Sequence, residues 1–175
     1  MKELNDFDLV KYLTVGGLPL IYQSKNPQLD LKEYVQTYLK EEVQAEALVR
    51  NIDHFARFLD SFGALSGHEL NYQNIATDAG VPVRTVASYV EVLKDTLVAF
   101  ELTPFTKTIK RKSVSKSKIF MFDVGVSNYM KGVGTLSPKS EEFGNAFEHF
   151  CLQEMRAAIS YKNKLQTMNY WRSTT

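Results

Sequence analysis

Residues 71–90 decide the fold, and they read NYQNIATDAGVPVRTVASYV. Asn71 is a helix-capping residue, and the helix that follows is expected to stop at Gly80, which readily adopts the left-handed conformation of a tight turn. Pro82 opens the next helix, because a missing N–H is tolerated at that position. Ala76 is small, so the second helix is able to cross closely over the first. The spacing therefore predicts a helix-turn-helix.

Strand-forming residues follow this helix pair directly. The second helix is expected to end near Thr96, and the stretches 98–105 and 118–124 have the composition of β-strands. Two helices followed by strand, turn and strand are the order of a winged helix. We therefore predict a winged helix-turn-helix. The side chains of its second helix that are expected to face inward are Val83, Val86, Val90, Leu93 and Leu97.

The candidate DNA-binding groups lie on the second helix and between the two strands. Arg84, Thr85 and Ser88 occupy the outward face near the start of the helix, where a recognition helix contacts base edges. The segment between the strands is basic, and each of its cations is able to displace a counterion from DNA. Such a segment is also a common solvated hairpin edge, and Glu91 and Asp95 further along the helix repel phosphate. The basic candidates are Lys107, Lys110, Arg111, Lys112 and Lys116, with Lys118 beside them.

Helices are also predicted before the winged helix. A short helix is expected over about 4–13, and Asp30 is expected to cap another that runs to about residue 46. A third helix is predicted over 48–62. These helices are rich in Tyr and Phe, and they are the expected docking surface if the module packs on a protein. Their predicted inward residues are Leu31, Val35, Leu39, Val43, Ile52, Phe55, Ala56, Leu59 and Phe62.

After the strands, the sequence predicts a loop over 125–139, a long helix over 139–160 and the start of a strand within 165–172. The fold class is therefore mainly α with a small β-hairpin: a winged helix-turn-helix preceded by a helical segment and followed by a truncated α/β piece. The expected domains are a linker over 1–29, the helical segment with the winged helix over 30–125, and the truncated piece over 138–175.

Composition excludes several classes of protein. The 175 residues are 44% apolar, which is typical of a globular protein, and the net charge of +1 gives no overall attraction to nucleic acid. No apolar run approaches the ~20 residues that a membrane span needs. Cys151 is the single cysteine and the three histidines are far apart, so we expect neither a disulfide nor a zinc site, and a cytoplasmic location.

Motifs along almost the whole chain resemble a known family. They are Tyr12-Leu13-x-x-Gly16-Gly17-Leu18-Pro19, Tyr34-x-x-x-Tyr38-Leu39, Phe55-x-x-Phe58-Leu59, Leu70-Asn71-x-x-x-Ile75-Ala76, Gly80-Val81-x-x-x-Thr85-Val86-x-x-Tyr89, Lys118-Ile119-Phe120-x-Phe122-Asp123-x-Gly125 and Gly144-x-x-Phe147-Glu148. In this order they resemble the C-terminal region of a bacterial and archaeal family of predicted AAA-type ATPases.

The resemblance implies that a P-loop ATPase module precedes this chain in a longer protein, with ATP and Mg²⁺ as its cofactors. The chain itself has no G-x-x-x-x-G-K-S/T motif, so we expect no cofactor in this fragment. The resemblance also implies the start of a PD-(D/E)XK nuclease-like fold after the wing, with Glu148 as a metal carboxylate in the full-length protein only.

The same C-terminal residues also have structural interpretations. Glu148 and His149 are expected at the surface of the long helix, and Asp123 is expected to cap the turn that follows its strand. Tyr170 and Trp171 are expected to be core aromatics of a truncated domain that are left exposed where the chain stops.

The expected function is that of a non-catalytic fragment with a winged helix that binds double-stranded DNA or docks on the parent ATPase module. Two alternatives remain open at this stage. One is an interaction or self-association module without DNA contact, and the other is part of a metal-dependent nuclease completed only in the full-length protein. No membrane partner is expected.

Overall fold

The computed structural model describes residues 7–39, 41, 45, 51–105, 116–162 and 166–171, and these residues are mainly helical with a small sheet, as predicted. A π-helical stretch, Tyr34–Leu39, directly continues the third helix. In chain order the other elements are α1 (Leu9–Val15), α2 (Pro19–Tyr22), α3 (Pro27–Glu33), α4 (Ile52–Ala64), α5 (Tyr72–Ala79), α6 (Val83–Asp95), β1 (Ala99–Pro104), β2 (Lys118–Met121), α7 (Val124–Met130), α8 (Glu141–Tyr161) and β3 (Asn169–Tyr170).

The start of α3 corrects a prediction. The helix begins at Pro27, after the N-cap Asn26, and not after Asp30. Proline is well tolerated at the first position of a helix because its missing N–H has no partner there in any case. Asp30 lies in the first turn instead, where a carboxylate interacts favourably with the helix dipole. The predicted inward residue Val43 lies outside the described residues.

Helices α5 and α6 form the predicted helix-turn-helix. The Asn71 side chain accepts hydrogen bonds from the N–H groups of Gln73 and Asn74, at 3.2 and 3.3 Å. Gly80 ends α5 in the left-handed conformation, with a φ of +61°. Helix α6 begins one residue after Pro82, which is its N-cap and has no side chain able to accept a hydrogen bond.

The aromatic residues of α4 form the centre of the core. Phe55, Phe58 and Phe62 are fully buried, and the ring of Tyr89 from α6 lies 5.2 Å from the rings of both Phe55 and Phe58. Burial of each large apolar side chain contributes about 1.5–3 kcal/mol. These phenylalanines join α4 to the winged helix. Because they are buried, they are not part of an exposed docking surface, contrary to the expectation from the sequence.

Among the described residues that were predicted to face inward, most are buried, Ala56 is partly buried and three are exposed. Val86, Val90 and Leu93 of α6 are buried, as are Leu31, Val35, Leu39 and Leu59 of the preceding helices. The predictions for Ile52, Val83 and Leu97 are wrong, because these residues are 62%, 39% and 75% exposed. Ile52 and Val83 are the first residues of their helices, and Leu97 follows the end of α6 with a φ of +61°, outside the helical periodicity.

The predicted hairpin is present, and further segments extend its sheet. Strands β1 and β2 are antiparallel, with Phe100 opposite Phe120. On the outer side of β2, the N–H of Leu70 donates to the carbonyl of Ser117 at 2.8 Å, so residues 68–70 add a short third segment. On the outer side of β1, β3 pairs in parallel, with Thr103 opposite Asn169. A strand from beyond α8 therefore joins the sheet of the wing.

Part of the predicted loop over 125–139 is helical. Helix α7 begins directly after β2 with the sequence VGVSNYM, which lacks the regular apolar spacing of an amphipathic helix. Val124 and Val126 are buried against the N-terminal helices, and Asp123 caps the helix. Tertiary packing thus stabilises a helix that the local sequence does not indicate. The long helix α8 was predicted to within two residues of its ends.

A pair of glycine substitutions tests the turn between α5 and α6. We expect Gly80→Ala to lower the free energy of unfolding by about 1 kcal/mol, because alanine is strained at positive φ. Gly144→Ala in the exposed part of α8, where an added Cβ meets no atom within 4 Å, is expected to raise it by up to about 1 kcal/mol. Urea unfolding of both variants measures the free energy of unfolding. If the two substitutions changed it in the same direction, the positive φ of Gly80 would be contradicted.

Candidate nucleic-acid interface

The first turns of α6 present the predicted recognition residues to solvent. Arg84 and Ser88 are exposed and Thr85 is partly buried, whereas Val86 and Val90 face the core. The separation follows from the helical period, which puts residues four apart on one face. All three predicted residues therefore lie at the exposed N-terminal end of the helix.

A groove of about 490 Å³ lies between this end of α6 and the wing. One wall includes Gln73 near the start of α5 and Val83 at the start of α6, and Lys116 and Ser117 at the base of the wing form another. The fold thus brings the start of α6 next to an exposed basic residue of the wing. The complete lining is Leu70, Asn71, Tyr72, Gln73, Val83, Glu101, Lys116 and Ser117.

One residue that lines this groove, Glu101, is acidic, and it forms an ion pair with a lysine of the same chain. The ammonium of Lys94 lies 2.9 Å from the carboxylate of Glu101 on β1 and 3.1 Å from that of Glu91. Burial alone would raise the pKa of Glu101, but hydrogen bonds from Ser117 and Lys94 hold it below its usual value. Glu101 is therefore ionised at neutral pH and ties the wing to the C-terminal part of α6.

Acidic residues limit how far along α6 an anion is able to bind. Glu91 and Asp95 are both exposed on the second half of the helix. Like charges at these positions repel phosphate, so any contact with nucleic acid is restricted to the region of Arg84, Thr85 and Ser88.

The basic residues of the wing differ in their surroundings. Lys107, Lys110, Arg111 and Lys112 lie outside the described residues. Lys116 is exposed, whereas Lys118 lies 3.0 Å from the carboxylate of Glu148 and 5.8 Å from the centre of the Tyr170 ring. The charge of Lys118 is therefore partly neutralised within the protein.

Glu148 is an exposed residue of α8 that pairs with Lys118 of β2. Within the described ranges, no three His, Cys, Asp or Glu side chains are grouped closely enough to hold a metal ion. One carboxylate paired with a lysine does not make a catalytic magnesium site, which needs further oxygen ligands.

The prediction that His149 is a surface residue is wrong. Its side chain is 3% exposed, contacts the rings of Phe100 and Phe120, and forms a hydrogen bond of 2.7 Å between Nε2 and the carbonyl oxygen of Met121. Burial lowers the pKa of His149 to about 4, so the ring is neutral at physiological pH and Nε2 is the protonated nitrogen that donates to Met121. The histidine joins α8 to the sheet.

Asp123 has a larger role than the predicted cap. Its carboxylate accepts hydrogen bonds from the N–H groups of Gly125 and Val126 in α7 and from that of Gly17 in the N-terminal segment, at 2.8, 3.0 and 2.8 Å. A Cβ on Gly16 would lie 2.0 Å from this carboxylate, which explains the glycine at that position. Burial raises the pKa of Asp123 and the three N–H donors act against that shift. Sequence reasoning missed the long-range contact because only the fold brings residues 17 and 123 together.

Tyr170 and Trp171 differ in their exposure to solvent. Tyr170 packs against the buried cluster of Phe100, Leu102 and Phe120, but Trp171 is 72% exposed.

The helix pair, the hairpin and the added segment at 68–70 define a winged helix-turn-helix protein. The chain belongs to the family described as a domain of unknown function (DUF8612), whose model matches residues 6–137, from before α1 to beyond α7. No curated protein and no solved structure matches the chain. Among the helices of the described residues, none is both long enough and apolar enough to span a bilayer.

The buried histidine predicts a specific dependence of stability on pH. In the unfolded chain the pKa of His149 is about 6.5, so between pH 6.5 and 4 the unfolded state binds the proton more tightly than the folded state. We expect this residue to reduce the free energy of unfolding by up to about 3 kcal/mol as the pH falls across that range.

Urea unfolding at several pH values checks this contribution. His149→Gln should lose that part of the pH dependence, because an amide does not titrate there, whereas the exposed control His68→Gln should retain it. Parallel pH profiles for wild type and His149→Gln would show that the buried histidine makes no such contribution.

Proposed function

We propose that this chain is a winged-helix module that binds double-stranded DNA through the start of α6 and the wing, as the C-terminal part of a longer AAA-type ATPase. The observation that carries the DNA-binding proposal is the shared groove. The N-terminal end of α6 and the wing base at Lys116 line the same depression, so one DNA duplex is able to contact both.

The exposed side chains at this end of α6 have suitable chemistry for a nucleic acid. Arg84 offers a planar cation with several N–H donors, which binds either two phosphate oxygens or the edge of a guanine. Ser88 and Thr85 add hydroxyl groups that donate to phosphate or to base edges. Because Glu91 and Asp95 follow on the same helix, we infer that only the first two turns of α6 enter the major groove.

The wing is proposed to supply the electrostatic part of the affinity. Lys107, Lys110, Arg111 and Lys112 follow β1 in the sequence, and the exposed Lys116 precedes β2. The near-neutral net charge of the whole chain makes this local cluster the main source of attraction to phosphate. At the start of α5, the exposed side chains of Gln73 and Asn74 are further possible phosphate donors.

The ATPase context rests on the resemblance of the sequence motifs. In that context ATP and Mg²⁺ would bind to the preceding P-loop module, and the winged helix would act without catalysis. The Gly-Gly-Leu-Pro motif belongs to that resemblance, and the N–H of its Gly17 donates to Asp123 and so joins the N-terminal segment to the end of the wing.

A second candidate function is docking on another protein, and one observation favours it. Phe7, Val10 and Phe147 are large apolar side chains, each more than 40% exposed, and Phe7 and Phe147 both contact the ring of Phe150. Exposed apolar groups that gather in one place are typical of interaction surfaces. This surface lies at the start of α1 and on α8, and none of these three residues lines the groove, so docking and DNA binding are compatible.

Fluorescence anisotropy with a labelled mixed-sequence duplex at about 50 mM salt tests the DNA proposal, since phosphate contacts are strong at low ionic strength. Neutralising Lys110, Arg111 and Lys112 together with glutamine should weaken binding at least tenfold. It should also reduce the slope of log K against log salt by about one for each lost phosphate contact. Arg84→Ala should weaken binding about tenfold on its own if the side chain contacts base edges.

A matched control carries the same change in charge outside the winged helix. Lys25, Lys32 and Lys139 are exposed, and their joint replacement by glutamine should leave both the affinity and the salt slope nearly unchanged. An equal loss in the control triple would point to non-specific attraction by net charge. Absence of binding by the wild type would contradict the proposed function.

A further inference from the structure

We propose that β3 (Asn169–Tyr170) is a clamp that holds together the two ends of the basic segment 106–115, which connects β1 to β2. In this proposal Tyr170 is the residue that positions the wing for DNA. The expected effect on DNA binding rests on the proposed function, whereas the clamp itself rests on contacts within the described residues. It assigns a role to a strand that lies beyond α8 and far along the chain from the winged helix.

Tyr170 contacts both sides of the stretch 106–115. Its carbonyl oxygen accepts a hydrogen bond of 2.7 Å from the N–H of Phe105, the residue that precedes this stretch. Its phenolic hydroxyl donates to the carbonyl oxygen of Lys116, the residue that follows the stretch. A single residue of β3 therefore fixes the distance between the two ends of the basic segment.

Neighbouring contacts hold the clamp in place. The Asn169 side chain donates to the hydroxyl of Thr103 on β1 at 2.7 Å. The ammonium of Lys118 lies over the Tyr170 ring and pairs with Glu148, so α8, β2 and β3 meet at this lysine. Lys118 thus serves the clamp, whereas Lys116 remains exposed in the groove.

A fixed base favours binding for an entropic reason. A segment whose ends are held has fewer conformations available before it binds, so it loses less conformational entropy when it contacts DNA. If Tyr170 releases Lys116, the base of the wing is less ordered and the cost of binding rises. Because β3 pairs over only two residues, a single hydroxyl is a substantial part of its hold on the wing.

The substitution Tyr170→Phe tests the clamp because it removes the hydroxyl and keeps the ring over Lys118. Loss of one such hydrogen bond is expected to weaken DNA binding about threefold to tenfold. Tyr161→Phe is the matched control, since it removes the same hydroxyl group from Tyr161, the exposed last residue of α8. Both variants are compared with wild type by anisotropy and by thermal unfolding.

A double-mutant cycle separates positioning from a general loss of stability. Tyr170→Phe is combined with the triple glutamine replacement of Lys110, Arg111 and Lys112. If Tyr170 acts through the wing, its replacement should have little further effect on affinity once these charges are absent. An equal loss in both backgrounds, or no loss in either, would overturn the inference.

Hydrogen exchange of the Phe105 amide provides a readout that does not depend on DNA. We expect faster exchange in Tyr170→Phe than in Tyr161→Phe, because the bond from Phe105 to Tyr170 weakens when the hydroxyl of the same residue loses its partner. If the wild type fails to bind DNA, the proposed function is wrong, and this exchange rate still decides whether the clamp exists. Unchanged exchange would reject the clamp.

Discussion

The buried carboxylate of Asp123 is the interaction on which the arrangement of this protein depends. It accepts N–H donors from α7 and from Gly17, so it joins the end of the wing hairpin, the helix that follows and the segment between α1 and α2. Two glycines make the approach possible. A side chain on Gly16 would collide with the carboxylate, and one on Gly125 would lie 2.1 Å from the carbonyl oxygen of Val15. Removal of such a carboxylate would leave three N–H groups without their acceptor, two of them buried, which costs more than one hydrogen bond.

From that junction, the winged helix is held on several sides. The phenylalanines of α4 pack under α6, the pair of Lys94 and Glu101 ties the end of α6 to β1, and His149 joins α8 to the end of β2. β3 then pairs with β1 from the opposite side. The consequence is a hairpin held against the rest of the fold beside the exposed start of α6, and this combination is what the DNA-binding proposal requires. The segment that precedes the winged helix and the segment that follows it both contact its sheet or its core, so both are packed against the winged helix.

The winged helix was predictable because its signals are local. Asn71 and Gly80 have capping and turn preferences that any sequence context would express, and the apolar residues of α6 recur at the helical period. The hairpin was predictable from composition, and the exposed position of Arg84 follows from its place opposite Val86 and Val90. Helix α7 and the burial of His149 were not predictable, since glycine, serine and asparagine lower local helix propensity and a histidine on a long helix has no sequence pattern that indicates burial. The contact partners of Asp123 and Lys118 lie 106 and 30 residues away, respectively, beyond the range of any local pattern.

The sequence by itself determined the elements whose stability comes from their own residues: the caps, the left-handed turn, the amphipathic faces and the basic composition of the segment between the strands. The tertiary structure alone decided which charges remain available and which residues act together. It paired Lys118 with Glu148 but left Lys116 exposed, buried His149, and brought Tyr170 to both ends of the wing segment. The physical reason is that capping and periodicity act over one or two helical turns, whereas desolvation, ion pairing and strand pairing depend on neighbours that only the folded chain supplies.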